Sequence, residues 1–150
     1  MQNFKPEDKI SKYFTYKEFL FLPSWNRMGD ASDGLTEEVL NRLKSMAQKM
    51  DLVREFLGVP VKMHVAWRPD AYNKLIGGAT NSTHRAAAGV DAACDFSAKG
   101  LTCDEVKKRI LDAKKLEEWD LRMEDNGAGA SWVHLDTRKP AQGRPRFFKP

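Results

Sequence analysis

Two short stretches of this sequence carry the residue types that can hold a metal ion. The first, NSTHRAAAGVDAACDFS over 81–97, contains His84, Asp91 and Asp95. The second, WVHLDTR over 132–138, contains His134. The chain has only 3 histidines, so two of them in such company direct the reading. A lone histidine more often makes a structural hydrogen bond than a metal bond; the joint pattern changes that balance. Imidazole, carboxylate and imidazole form a donor set that suits zinc. Three protein ligands leave one coordination position open, as in catalytic rather than structural zinc sites. His84, one aspartate of the first stretch and His134 are expected to converge on one Zn2+ ion.

The elements that must position them can be read from spacing. Thr15 and Glu18 form a capping box, which predicts a short helix over 17–22 ended by Pro23. Residues 23–34 read as a loop. Leu35, Val39, Leu43, Met46, Met50, Val53 and Leu57 recur at intervals of three and four, which predicts a long scaffold helix over 36–57. Gly58 and Pro60 stop it. Alternation over 59–68 predicts a strand with His64 and Arg68 on one face and Val61, Met63, Val65 and Trp67 on the other. Residues 70–82, with Gly77-Gly78, read as a loop leading to His84. A buried strand is expected over 92–97, then a helix over 103–118 opened by the Thr102/Glu105 capping box. Strands over 121–124 and 131–137 follow, joined as a hairpin, with Trp132, His134 and Asp136 on one face. Residues 1–12 read as a mobile lead-in and 139–150 as an irregular tail.

Length and composition bound the rest. A chain of 150 residues suits one domain with its own core. Apolar runs are short and broken by charge, so no membrane span is expected, and the first residues do not resemble a secretory signal. The two cysteines, Cys94 and Cys103, are too few for a disulfide framework. A net charge of +4 favours anionic partners in general terms. No nucleic-acid motif accompanies it, so no nucleic-acid partner is expected. Gly77-Gly78 lacks the following Gly-Lys-Ser/Thr of a phosphate loop.

The ordered set FTYKEF, long helix, RPDAYN, IGGATNSTH, AACDF, helix and WVHLDTR resembles the superfamily of zinc D,D-carboxypeptidases and phage L-alanyl-D-glutamate endopeptidases. The likeness covers roughly residues 11–140. Ser82-Thr83-His84, Ala93-Cys94-Asp95 and Trp132-Val133-His134 match the family's Ser-x-His, Ala-x-Asp and late His. The resemblance implies an α+β fold of the hedgehog and D,D-peptidase type, a small antiparallel sheet packed against helices. It also implies a zinc metallopeptidase that hydrolyses an amide bond in peptidoglycan stem peptides, as a phage endolysin or a carboxypeptidase does. A monomer made in the host cytoplasm and acting on the bacterial cell wall would fit it.

Three departures accompany the match. The gap from His84 to the aspartate is longer than usual if Asp95 is the ligand; Asp95 is preferred to Asp91 because Ala-x-Asp followed by an apolar residue is the strand that carries the ligand. Many members have an acid three residues before the last histidine, where this chain has Ser131. Asp136 and Glu124 are the candidates for catalytic base in its place. Val65 stands where members often have a serine three residues before the strand-end arginine, with His64 one residue earlier. By the same resemblance Arg68 would bind substrate carboxylate or steady an oxyanion, with His64 as a possible helper, while Ser82 and Tyr72 would line the substrate side. The other reading is a zinc-containing binding or virion module that lacks a competent base.

Overall fold

The computed structural model describes residues 3–150, which form an α+β domain. Its spine is α2 (Glu37–Leu57), preceded by α1 (Tyr16–Leu20) and a two-stranded hairpin of β1 (Phe21–Leu22) and β2 (Arg27–Met28). The long helix forms where its apolar stripe predicts. Thr36 caps it by accepting from the Val39 N–H, and Gly58 ends it in the left-handed conformation with its N–H on the Arg54 carbonyl. Leu43, Met46, Met50 and Val53 are fully buried. Truncating Leu43, Met46 or Met50 to alanine would cost about 2–5 kcal/mol.

The site is carried by a five-stranded sheet on the other side of this core. Its strands are β3 (Val61–Val65), β4 (Ala93–Ala98), β5 (Arg122–Glu124), β6 (Val133–Asp136) and β7 (Phe147–Phe148), in the order β3-β4-β6-β5-β7. Neighbours run antiparallel except β7, which runs parallel to β5. Within β4, Cys94 and Phe96 are fully buried while Asp95 faces the other way. Asp95 pairs in register with His134 on β6, so the sheet itself sets two chemistry-bearing side chains side by side.

Several elements depart from the sequence expectations. Of the expected lead-in, residues 1–2 lie outside the described residues, but the rest is packed. Phe4 stacks on Tyr16, Ile10 joins the core, and Asp51 on α2 accepts from Ser11 Oγ and from the backbone of Lys12 and Tyr13. The first helix stops at Leu20, because Phe21 and Leu22 pair with Arg27 and Met28 inside the expected loop. The strand expected over 59–68 is observed as Val61–Val65, with a register shift after Met63. Beyond it the Trp67 N–H turns to the Phe19 carbonyl and the Arg68 N–H to that of His84, so Arg68 is not on it. The expected loop after Pro69 begins as a helix, α3 (Asp70–Leu75), with Asp70 at its positive end. The helix over 103–118 is two, α4 (Cys103–Asp112) and α5 (Lys115–Trp119), with Lys114 in a left-handed conformation between them. The tail contributes β7: the Met123 N–H donates to the Arg146 carbonyl and the Asp125 N–H to that of Phe148.

Candidate metal centre

His84 is delivered by a single 3-10 turn, Thr83–Arg85. Ser82 caps that turn, accepting from the His84 N–H at 3.2 Å, and the Arg68 N–H donates to the His84 carbonyl at 2.7 Å. The loop before it is shaped by Asn73, whose amide donates to the Ala79 carbonyl; a Cβ at Gly78 would collide with that side chain. Gly77-Gly78 is thus a structural pair that lets the chain turn back toward the sheet. His84 is 3% exposed and its Nδ1 meets the Ala66 carbonyl at 2.7 Å. A carbonyl only accepts, so Nδ1 carries the proton and Nε2 is the donor atom left for a ligand.

His134 Nδ1 lies 2.8 Å from Asp95 Oδ1, and His84 Nε2 lies 3.1 Å from the same oxygen. One donor atom from each of the three residues falls within 4.8 Å of the others. Donors of a tetrahedral zinc site stand about 3.4 Å apart, for bonds of about 2.0–2.1 Å. The separations here are somewhat shorter, as hydrogen-bonded groups are, and the types and convergence of the atoms fit zinc. Asp91 does not join them. It lies in a left-handed turn and faces a separate surface cleft with Arg42 and Lys49.

The outer nitrogen of His134, Nε2, is 2.9 Å from Asp136 Oδ2. Asp136 is fully buried and forked by Arg122, with Nε on Oδ1 at 2.8 Å and Nη2 on Oδ2 at 2.9 Å. Thr83 Oγ1 and the Arg138 N–H reach it as well, at 3.4 and 3.2 Å. Such a carboxylate fixes the ring of a ligating histidine and raises its basicity. Burial alone would push the His134 imidazolium down. The bonds to Asp136 and Asp95 outweigh it and push the pKa up to about 9. Burial likewise works against ionised Asp136, yet His134 and Arg122 hold its carboxyl below the ordinary range. Burial opposes ionised Asp95 too, but the charge of His84 and the hydrogen bond to His134 keep its carboxyl well below that range.

The triad opens into a cavity of about 530 Å³, also lined by Arg68, Ser82, Glu124 and Arg138. Arg68 donates to Ser82 Oγ at 2.9 Å, and its Nε is buried without a partner among the described residues. Glu124 is half-buried and its side chain makes no hydrogen bond or ion pair among the described residues. It follows Met123, which pairs with Leu135, so it stands beside His134 on the site face. His64 sits on the far side of Asp95, where it, Ser131 and Trp132 border a second depression of about 410 Å³; its Nε2 is 2.8 Å from Ser97 Oγ. Tyr72 is not brought into the cleft. It is buried, its hydroxyl accepts from the Ser24 N–H at 3.0 Å, and its ring meets Trp25 edge-on.

A family model described as Peptidase M15 matches residues 12–136. The chain belongs to the peptidase M15 family. Membership implies zinc metallopeptidase activity toward peptidoglycan, and within the matched residues His84, Asp95 and His134 form a group that could hold a metal ion. No curated protein and no solved structure matches. The M15 match ends at Asp136, so the tail that completes this M15 site lies beyond it. There the Phe148 ring stacks 3.9 Å from the Arg122 guanidinium and meets the His134 ring edge-on at 6.2 Å.

Arg122, Arg138, Phe148 and the Ala66 carbonyl are the site groups that the sequence reading missed. Arg122 alone had a usable signal: it alternates with Glu124 on a strand expected to face Asp136.

Proposed function

We propose that this chain is a zinc-dependent peptidase that hydrolyses an amide bond in peptidoglycan stem peptides, acting as a monomer of the phage-lysin type. The observation that carries this reading is the convergence of His84 Nε2, Asp95 Oδ1 and His134 Nδ1, with each outer ring nitrogen already bonded to a fixed acceptor. Zinc held there supplies a Lewis acid for the scissile carbonyl and brings the ionisation of water toward neutral pH.

The chain's own residues supply the rest. Glu124 is the general base: its carboxylate faces the cavity and no other group among the described residues claims it. It takes the proton of the attacking water and returns it to the leaving amine. Asp136 is the positioning group for His134, because both its oxygens are occupied and it meets the ring on the nitrogen opposite Asp95. Arg68 binds a substrate carboxylate; its guanidinium is half-buried and has no ion-pair partner among the described residues. Ser82 holds Arg68 and the His84 turn together. His64, across Asp95, borders the side where the rest of the peptide would lie.

Digestion of purified peptidoglycan, with products weighed by mass spectrometry, tests the reading and identifies the bond. Release of muropeptides that stops with chelator and returns with zinc is expected. Stoichiometric zinc without cleavage of any peptidoglycan would favour the non-catalytic module instead, a reading that Ser131 supports by offering no acid at the family's usual position.

A further inference from the structure

Three arginines line the cavity beside the metal ligands, and only one is spent within the protein. Arg122 is committed to Asp136 through two hydrogen bonds. Arg68 and Arg138 form no ion pair with any carboxylate side chain among the described residues. Both are half-buried. They are tethered to consecutive residues of the loop before His84: Arg68 Nη2 donates to Ser82 Oγ at 2.9 Å, and Arg138 Nη2 to the Asn81 carbonyl at 2.6 Å. Each tether uses one terminal nitrogen and leaves the other Nη without a partner among the described residues, so two guanidiniums tethered to adjacent loop residues face one cavity with donors to spare. The acids that share the cavity do not cancel them. Asp95 belongs to the triad, Asp136 to Arg122, and Glu124 makes no ion pair among the described residues. Two unpaired guanidiniums in one partly desolvated pocket call for two anionic groups.

We propose that Arg138 is a specificity residue that reads a second substrate carboxylate beside the one bound by Arg68. The preferred substrate is then a stem peptide that keeps a free carboxylate, rather than a carboxamide, on the residue following L-alanine. This rests on the peptidase reading given above, and it adds a requirement that the metal ligands do not impose.

Two synthetic peptides that differ in one group test it: L-Ala-γ-D-Glu-L-Lys-D-Ala and its D-isoglutaminyl counterpart. Zinc-loaded wild type and the Arg138→Gln and Arg138→Lys variants are compared, with zinc content measured for each. If the peptides are cut, kcat/KM is read; if they are not, calorimetric Kd values for the same zinc-loaded proteins replace it. The wild type is expected to favour the carboxylate peptide by about tenfold or more, as suits a charge-assisted hydrogen bond, mainly through KM or Kd. Arg138→Gln should bring that ratio close to one without weakening the amide peptide, and Arg138→Lys should restore part of it. Equal losses on both peptides would overturn the proposal, since Arg138 would then only hold the Asn81 loop. So would a wild type indifferent to the substitution. Absence of cleavage would sink the peptidase reading, while the Kd ratio would still decide the role of Arg138.

Discussion

His84 and His134 face one point from two unlike regions. His84 rides on a single 3-10 turn and is oriented by a neutral backbone carbonyl. His134 sits within the sheet and is oriented by an ionised carboxylate clamped by Arg122, whose guanidinium Phe148 covers. Both rings are buried, but among the described residues it is the outer nitrogen of His134 that meets a network of charges. The charged groups behind the candidate ligands are therefore concentrated on one side of the centre. The other side supplies the loop from which Arg68 and Arg138 approach the cavity.

The harshest test of this asymmetry removes the atom both sides share. Asp95→Ala should abolish stoichiometric zinc and reduce peptidoglycan release to background, read by metal analysis and turbidity. Glu124→Gln should keep zinc and lower kcat by about 10²–10⁴-fold, the range for a general base; full activity in that variant would return the choice of base to Asp136. Asp136→Asn should weaken zinc binding by about 10–100-fold, the usual effect of losing an outer-shell carboxylate. Unchanged zinc affinity with most of kcat lost would reverse its assigned role.

The charged side also predicts a pH response. With its pKa at about 9, His134 in the metal-free protein is protonated at neutral pH, and zinc must displace that proton. Below that value zinc affinity should rise by about tenfold per pH unit for this one proton. Calorimetry in buffers of different ionisation heat should show its release. Stability without metal moves the opposite way. The folded pKa lies above the ordinary histidine value, so the contribution is complete below about pH 6.5. It is lost as pH rises through about 9, which thermal melts of chelated protein would follow. The smallest expected effect is that of Phe148→Ala, a loss of zinc affinity of about fivefold, in line with a cation–π contact worth up to about 1 kcal/mol at a partly exposed site.

Much of this architecture is written locally. The Thr15/Glu18 and Thr102/Glu105 capping boxes form as their spacing predicts, and the stripe of α2 is buried. Spacing sets His134 with Trp132 and Asp136 on one face of its strand, and it is the structure that brings Asp95 and His134 together across the sheet. What escaped the sequence depends on distant or weakly signalled events. No glycine or proline marks the break at Lys114. The helical start at Asp70 is masked by the glycines that follow it. The bond of β7 to β5 joins segments more than 20 residues apart, and parallel pairing has no turn signature. Arg122 becomes visible only once Asp136 is known to need a partner.

One of these groups cannot be edited by ordinary mutagenesis. The acceptor that sets the His84 tautomer is the main-chain oxygen of Ala66, and every residue type carries the same oxygen at that place. Codon changes at position 66 can reshape packing but cannot delete the acceptor, whereas a single codon change removes Asp136. Any attempt to retune the centre for a different cation by altering the orienting groups thus has its handle on the His134 side.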